Sequence, residues 1–225
     1  MVVIIFAKII IAKWLFRQPL QRIVTNRNAW DEDYRSRGRL WGGGAKNLPV
    51  LDAGSTVLEL GCGNGKTLAG MPNDWIIVAV DISPEALCLS RNLTASAELI
   101  LANACLLPFQ DNSFDAVFAF HVTGHLLGSD RPALAREAAR VLRKGGKLFF
   151  REFGKEDMRA GHGRELEQGT FRRGSGIFTH YFDESEVMGL FGDLKPASVG
   201  THRWKLRVKG QDLVRAEVEA VFIKS

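Results

Sequence analysis

A chain of 225 residues with 46% hydrophobic composition holds enough apolar material for one ordinary α/β domain with an extension and an insertion, which excludes a mainly disordered protein. Its three cysteines, Cys62, Cys88 and Cys105, form no CxxC pair, and its five histidines are scattered. Neither a disulfide framework nor a metal site is expected, and a reducing cytoplasm is the simplest setting. The net charge of +5 sits in residues 1–30, which carry five basic residues and no acid; residues 31–225 balance at 25 of each sign, an argument against an extended nucleic-acid surface.

The first stretch, Met1 to Phe16, is apolar except for Lys8 and Lys13. It falls short of the roughly 20 residues a spanning helix needs, and no small-residue cleavage site follows. Three readings stay open: a helix packed on the domain, peripheral membrane contact through residues 1–20, or upstream sequence from a misassigned start. Residues 1–29 are taken as this extension and 30–225 as the domain.

From Thr56 onward apolar runs alternate with helical stretches, the pattern of a parallel sheet with crossover helices. Strands are predicted at 57–60, 76–80, 98–101, 115–120 and 147–153. Ser83-Pro84-Glu85 predicts a helix start, since serine caps, proline suits the first turn and glutamate complements the dipole. The stripe Leu134, Ala138, Val141 and Leu142 predicts a helix over 131–142, ended by Lys144-Gly145-Gly146. Residues 154–180 are polar and glycine-rich and read as a long functional loop on the substrate side. A helix over 183–191 and closing strands at 198–208 and 214–223 complete the chain.

The most informative string is Glu59-Leu60-Gly61-Cys62-Gly63-Asn64-Gly65. A strand running into closely spaced glycines lets backbone amides approach a ligand. A P-loop would need glycine five positions before Gly65, where Leu60 stands, so that reading fails despite Gly65-Lys66-Thr67. A dinucleotide fingerprint would need its third glycine one residue later, where Lys66 stands.

The spacing ExGxGxG resembles the first motif of class I S-adenosylmethionine-dependent methyltransferases, and further elements follow in that family's order. Asp81 ends the second strand, Asn103-Ala104 follows the third with Leu107-Pro108-Phe109 beyond, the fourth ends at Phe120-His121, and Val141-Leu-Arg-Lys-Gly-Gly146 resembles the family's VLKPGG. The resemblance covers about residues 56–152 and is that of a methyltransferase type 11 domain. It implies an α/β fold, a Rossmann-like, mostly parallel seven-stranded sheet with helices on both faces. It implies S-adenosylmethionine as cofactor, held by Glu59, Gly61, Cys62, Gly63, Asn64, Gly65, Asp81, Ile82, Asn103, Ala104 and His121, with Asp81 accepting from the ribose hydroxyls. Aspartate is commoner in the family at the position of Asn103. Because the cofactor brings the electrophile, the protein supplies mainly alignment and desolvation, and no catalytic residue is assigned.

The flanks are similar to the tRNA 3-methylcytidine methyltransferases: Trp30-Asp-Glu-Asp-Tyr34 before the first motif, Arg151-Glu-Phe-Gly154 at a strand end, then Arg172, Gly176, Tyr181 and Phe182. Glu152 and Phe153 depart from that family's aspartate and tyrosine. The resulting substrate-side candidates are Tyr34, Trp41, His125, Arg151, Arg172 and Tyr181. The charge balance favours a small-molecule acceptor, with tRNA as the alternative, because RNA affinity draws on cationic contacts. The basic strand Thr201 to Lys209 reads either as a phosphate track or as an exposed strand. A noncatalytic cofactor-binding partner subunit is the reading from another class, and a nucleotide-dependent oxidoreductase is disfavoured by the loop spacing.

Overall fold

The computed structural model describes residues 20–38, 48–93, 96–174 and 176–225. The apolar tail over 1–19 and Trp41 lie outside the described residues. Elements run in the order α1 (Leu20–Arg37), β1 (Thr56–Leu60), β2 (Ile76–Asp81), α2 (Pro84–Arg91), β3 (Glu98–Leu101), β4 (Phe114–Phe120), α3 (Arg131–Val141), β5 (Leu142–Phe153), β6 (Arg164–Glu167), β7 (Thr170–Arg172), β8 (Phe178–His180), α4 (Glu184–Leu190), β9 (Lys195–Val208) and β10 (Gln211–Ile223). Short 3₁₀ turns lie at Leu68–Gly70 and Thr123–His125.

Seven strands form one sheet in the order β3-β2-β1-β4-β5-β10-β9. The first five are parallel; β10 runs antiparallel to β5, and β9 antiparallel to β10. The order reverses between β1 and β4, and it is outside the carboxyl ends at such a point that open α/β sheets bind ligands.

The central strands are apolar on both faces because both are covered. Leu58, Leu60, Val117, Ala119, Leu148 and Phe150 pack with Leu134, Ala138 and Val141 of α3 and Val187 of α4. Val57, Ile77, Ala79, Ala116 and Phe118 pack on the opposite side with Leu68, Met71, Trp75 and Leu87 of α2. Local chemistry sets the helix starts as expected: Ser83 Oγ accepts from Ala86 N and Asp183 Oδ1 from Glu186 N.

Three features differ from expectation. Helix α1 runs across the 29/30 division. Strand β5 begins at Leu142, directly after α3, because Lys224 Nζ and Lys224 O, with Lys224 N, bind the 140–146 backbone and draw Lys144-Gly145-Gly146 into the sheet edge. Residues 154–180 are not a plain loop: β6, β7 and β8 form a three-stranded antiparallel sheet. Those strands are three or four residues long, too short for alternation to reveal. Their order comes from a distant network: Arg131 Nη2 donates to Glu167 Oε1 at 2.7 Å and Thr170 Oγ1 at 2.9 Å, while His180 bridges Thr170 Oγ1 and Glu186 Oε1.

Candidate functional site

One cleft opens where β1, β2, β3 and β4 end. It is lined by Trp30, Tyr34, Gly61, Val80, Asp81, Ile82, Ala102, Asn103, Ala104, His121, Val122, His125 and Leu126, apolar walls with a few convergent polar groups.

Its floor is the turn after β1. Gly61 and Gly63 have φ of 67° and 54°, the left-handed region, and neither has space for a side chain. A Cβ on Gly61 would lie 2.6 Å from Val122 Cγ2, and one on Gly63 2.7 Å from the Tyr34 hydroxyl. Asp81 fixes this turn: its Oδ2 accepts from Gly63 N at 2.8 Å and its Oδ1 from Ser83 N at 2.9 Å. Ile82 N–H also interacts with it, and because a carboxylate offers about four lone-pair positions, acceptor capacity is left for a ligand. Burial raises Asp81 to about 6, against the pull of those backbone donors. Burial likewise raises Glu59 to about 8, with a hydrogen bond from Thr67 opposing. Glu59, Cys62 and Asn64 lie buried beneath the loop, and Glu59 Oε2 and Asn64 Nδ2 have no hydrogen-bond partner among the described residues.

The roof is α1. Trp30 and Tyr34, one turn apart, stack at 5.6 Å, and Trp30 meets the His125 ring edge-on at 4.8 Å. The helix is tied to the start of α2, where Ser83 Oγ donates to Asp31 Oδ1 at 2.5 Å and Arg35 pairs with Glu85 at 3.0 Å. Burial, then the charge of Asp81, pushes the Tyr34 phenol far above its usual range, so it stays neutral. Asn103 closes the far wall, its Oδ1 accepting from Cys105 N at 2.9 Å.

The expected cofactor residues therefore fall together, with Gly61, Asp81, Ile82, Asn103, Ala104 and His121 in the wall and Glu59, Cys62 and Asn64 beneath it. The expected substrate-side residues scatter. Tyr34 and His125 belong to this cleft, His125 holding the Phe178 carbonyl through Nδ1 at 2.7 Å. Arg151 lies beyond it, over the Phe120 ring at 4.7 Å and ion-paired to Glu219 at 2.9 Å. Arg172 is exposed on β7, and Tyr181 is buried with its hydroxyl accepting from Arg173. Neither of these two lines the cleft.

Spacing alone left several neighbours unassigned. Trp30 carried a signal, its i, i+4 relation to Tyr34. Val80, Ala102, Val122 and Leu126 have no chemistry to mark them. Glu152 and Glu217 meet around His121 through the strand register that sets Phe153 beside Glu217, and Arg159 reaches the Phe153 ring from the turn after β5.

Comparison with known proteins agrees with this geometry. Residues 58–150 match the model of a methyltransferase domain. The 27-O-demethylrifamycin SV methyltransferase of Amycolatopsis mediterranei is 35% identical over 111 residues, 46% of this chain and 40% of that protein. The tRNA N(3)-methylcytidine methyltransferase Mettl2 of Drosophila melanogaster is 26% identical over 151 residues, 60% of this chain and 46% of that protein. The chain thus spans less than half the length of these curated relatives. A SAM-dependent methyltransferase of Methanosarcina mazei superposes with a TM-score of 0.63 at 25% identity, over 77% of this chain and 94% of that one. The glycine turn, the carboxylate after β2 and the strand order thus have a common explanation in the methyltransferase domain that residues 58–150 match, on a fold shared with a SAM-dependent methyltransferase.

Proposed function

We propose that the protein transfers a methyl group from S-adenosylmethionine to a small-molecule acceptor. The residues fit the cofactor: backbone at Gly61 and Gly63 is bare where a Cβ would intrude, and Asp81 keeps acceptor capacity toward the cleft. Asp81 would take the ribose hydroxyls, Ile82, Asn103 and Ala104 the adenine, and the 61–65 turn the amino-acid end. Bound there, the cofactor supplies a methyl carbon already activated by its sulfonium. Trp30, Tyr34 and α1 exclude water, and the walls orient the acceptor.

The observation that carries the choice of acceptor is the direction of the basic strand. In the β9–β10 register His202 pairs with Glu217, which contacts His121, so His202, Trp204 and Leu206 share the site's face. Arg203, Lys205 and Arg207 therefore project from the opposite face. Arg203 is moreover neutralised by Glu156 and Arg207 by Asp212. No cationic track leads along these residues to the cleft, as tRNA would need. The free thiols Cys62, Cys88 and Cys105 support a reducing, cytoplasmic setting, and no described helix is long and apolar enough to cross a membrane.

Incubation with deuteromethyl-labelled cofactor, a small-metabolite extract and total tRNA, followed by mass spectrometry, tests this. Label is expected in the small-molecule fraction. Label in tRNA, with salt-sensitive tRNA binding lost on replacing Arg203, Lys205 and Arg207, overturns it.

A further inference from the structure

Beyond the cleft wall a second group of side chains gathers on one aromatic ring. His121 leaves β4 with φ of 53°, a conformation few non-glycine residues adopt and one concentrated at functional sites. Its N–H donates to the Arg151 carbonyl at 2.8 Å and its ring lies 4.5 Å from Phe153. Nδ1 points inward, 3.9 Å from Glu152 Oε2, buried and without a hydrogen-bond partner among the described residues. The side chain is nevertheless 34% exposed and lines the cleft, so its Nε2 edge faces the open side, where Glu217 Oε1 lies 3.4 Å away. Arg159 lies 3.8 Å over the same Phe153 ring, and its Nη2 is also buried without a partner among the described residues. A buried donor left unmade is costly, and a ligand oxygen beside it would relieve that cost.

We propose that the acceptor presents a hydroxyl group, that methylation falls on its oxygen, and that His121 Nε2 takes the hydroxyl proton; this rests on the methyltransferase reading above. Hydrogen on Nδ1, the nitrogen that faces Glu152 Oε2, leaves the Nε2 lone pair free to accept. The 3.9 Å separation is long, as such contacts often are before a substrate is bound. An oxygen lone pair forms the new O–C bond, the C–S electrons depart with a neutral thioether, and the O–H proton moves to Nε2. The imidazolium then lies between Glu152 and Glu217. Burial, then the charges of His125, Arg151, Arg159 and Lys66, lowers His121 to about 3, so the ring is neutral and ready at ordinary pH. Such weak basicity suffices here, because an oxygen bearing its proton and a new methyl group is far more acidic than imidazolium. An amine needs no such acceptor, since its methylated product retains the proton.

His121→Asn is the variant of choice, because asparagine tolerates positive φ and preserves the turn. With the labelled acceptor isolated, the methyl group is expected on oxygen. The substitution is expected to lower kcat by about 10²–10⁴-fold, far more than it weakens S-adenosylhomocysteine binding. A methyl group on carbon, nitrogen or sulfur, or an undiminished kcat, overturns the proposal. An independent readout uses ¹⁵N-histidine protein loaded with S-adenosylhomocysteine. Hydroquinone should shift the His121 Nε2 resonance and 1,4-dimethoxybenzene should not; an Nε2 resonance indifferent to hydroquinone overturns the proposal. If no extract takes label while that resonance responds, the methyltransferase reading fails and the hydroxyl site stands.

Discussion

At the carboxyl ends of β1, β2 and β3 the cleft wall is drawn from short stretches, Gly61, Val80 to Ile82 and Ala102 to Ala104, each within a few residues of its strand end. Across β4 and β5, His121 of the wall meets Glu152, Glu217 and Arg159 behind it, brought together by a register between strands far apart in sequence and by the turn after β5. The first region is specified by local conformation, the second by polar networks that exist only once the sheet has formed. That difference predicts different failures. Damage to the first should abolish ligand binding in a folded protein, whereas damage to the second should loosen the fold or the chemistry and spare cofactor affinity.

Gly61→Ala should show the largest effect. It combines a positive φ with a Cβ 2.6 Å from Val122 Cγ2, so the turn must move. Strain of this kind costs on the order of 1–3 kcal/mol, and S-adenosylhomocysteine affinity in calorimetry should fall by up to about 100-fold with the circular dichroism spectrum unchanged.

Arg131→Met attacks the second region. Arg131 is 6% exposed and ties Leu126 O, Glu167 and Thr170 together. Its loss leaves Thr170 buried with one partner fewer. Because Glu167 is one-third exposed, the cost should fall below the 3–5 kcal/mol of a fully buried pair, at about 2 kcal/mol. Urea denaturation would measure it. Proteolysis should then begin within 156–176 while S-adenosylhomocysteine affinity is retained; a matching loss of affinity would erase the distinction between the regions.

Asp81→Ala should weaken S-adenosylhomocysteine binding at least tenfold, since charge-assisted hydrogen bonds contribute roughly 1.5–3 kcal/mol each. Unchanged affinity in a folded variant would remove Asp81 from the cofactor's partners.

The smallest effect is a pH dependence shared by both regions. Burial raises Glu152 to about 8, while the unfolded chain releases that proton near pH 4.3. Between those values the folded state binds more protons, so rising pH destabilises it. Glu59, raised to about 8, and Asp81, raised to about 6, act in the same direction. His121, lowered to about 3, opposes them up to the imidazole's ordinary value near 6.5, so stability without ligand should decline from about pH 6.5 toward pH 8, and Glu152→Gln should flatten that slope in denaturation series. A slope unchanged in the variant would place the titration elsewhere.

Much of the first region was legible in the residues themselves. Glycine spacing after an apolar strand, an acid at the end of the next strand and the Ser83-Pro84-Glu85 cap each act within a few residues, where local geometry decides. Arg172 and Tyr181 show the limit of that approach. Both suit a substrate pocket by residue type, yet β7 turns Arg172 outward and packing buries Tyr181 against Phe153 and Phe171. The strands of 164–180 were illegible because each is too short for its period to register, and because Arg131, Glu186 and His180, which hold them, lie on other elements.

The sequence by itself determined the alternation of strands and helices, the Ser83 cap and the glycine turn with an acid after the next strand, since these follow from backbone sterics, apolar periodicity and hydrogen bonds between near neighbours. Only the tertiary structure decided that Trp30 and Tyr34 roof the cleft, that the basic residues of β9 face away from it, and that Glu152, Arg159 and Glu217 meet around Phe153 and His121. Those outcomes depend on strand register and sheet face, and a shift of one residue would have reversed them.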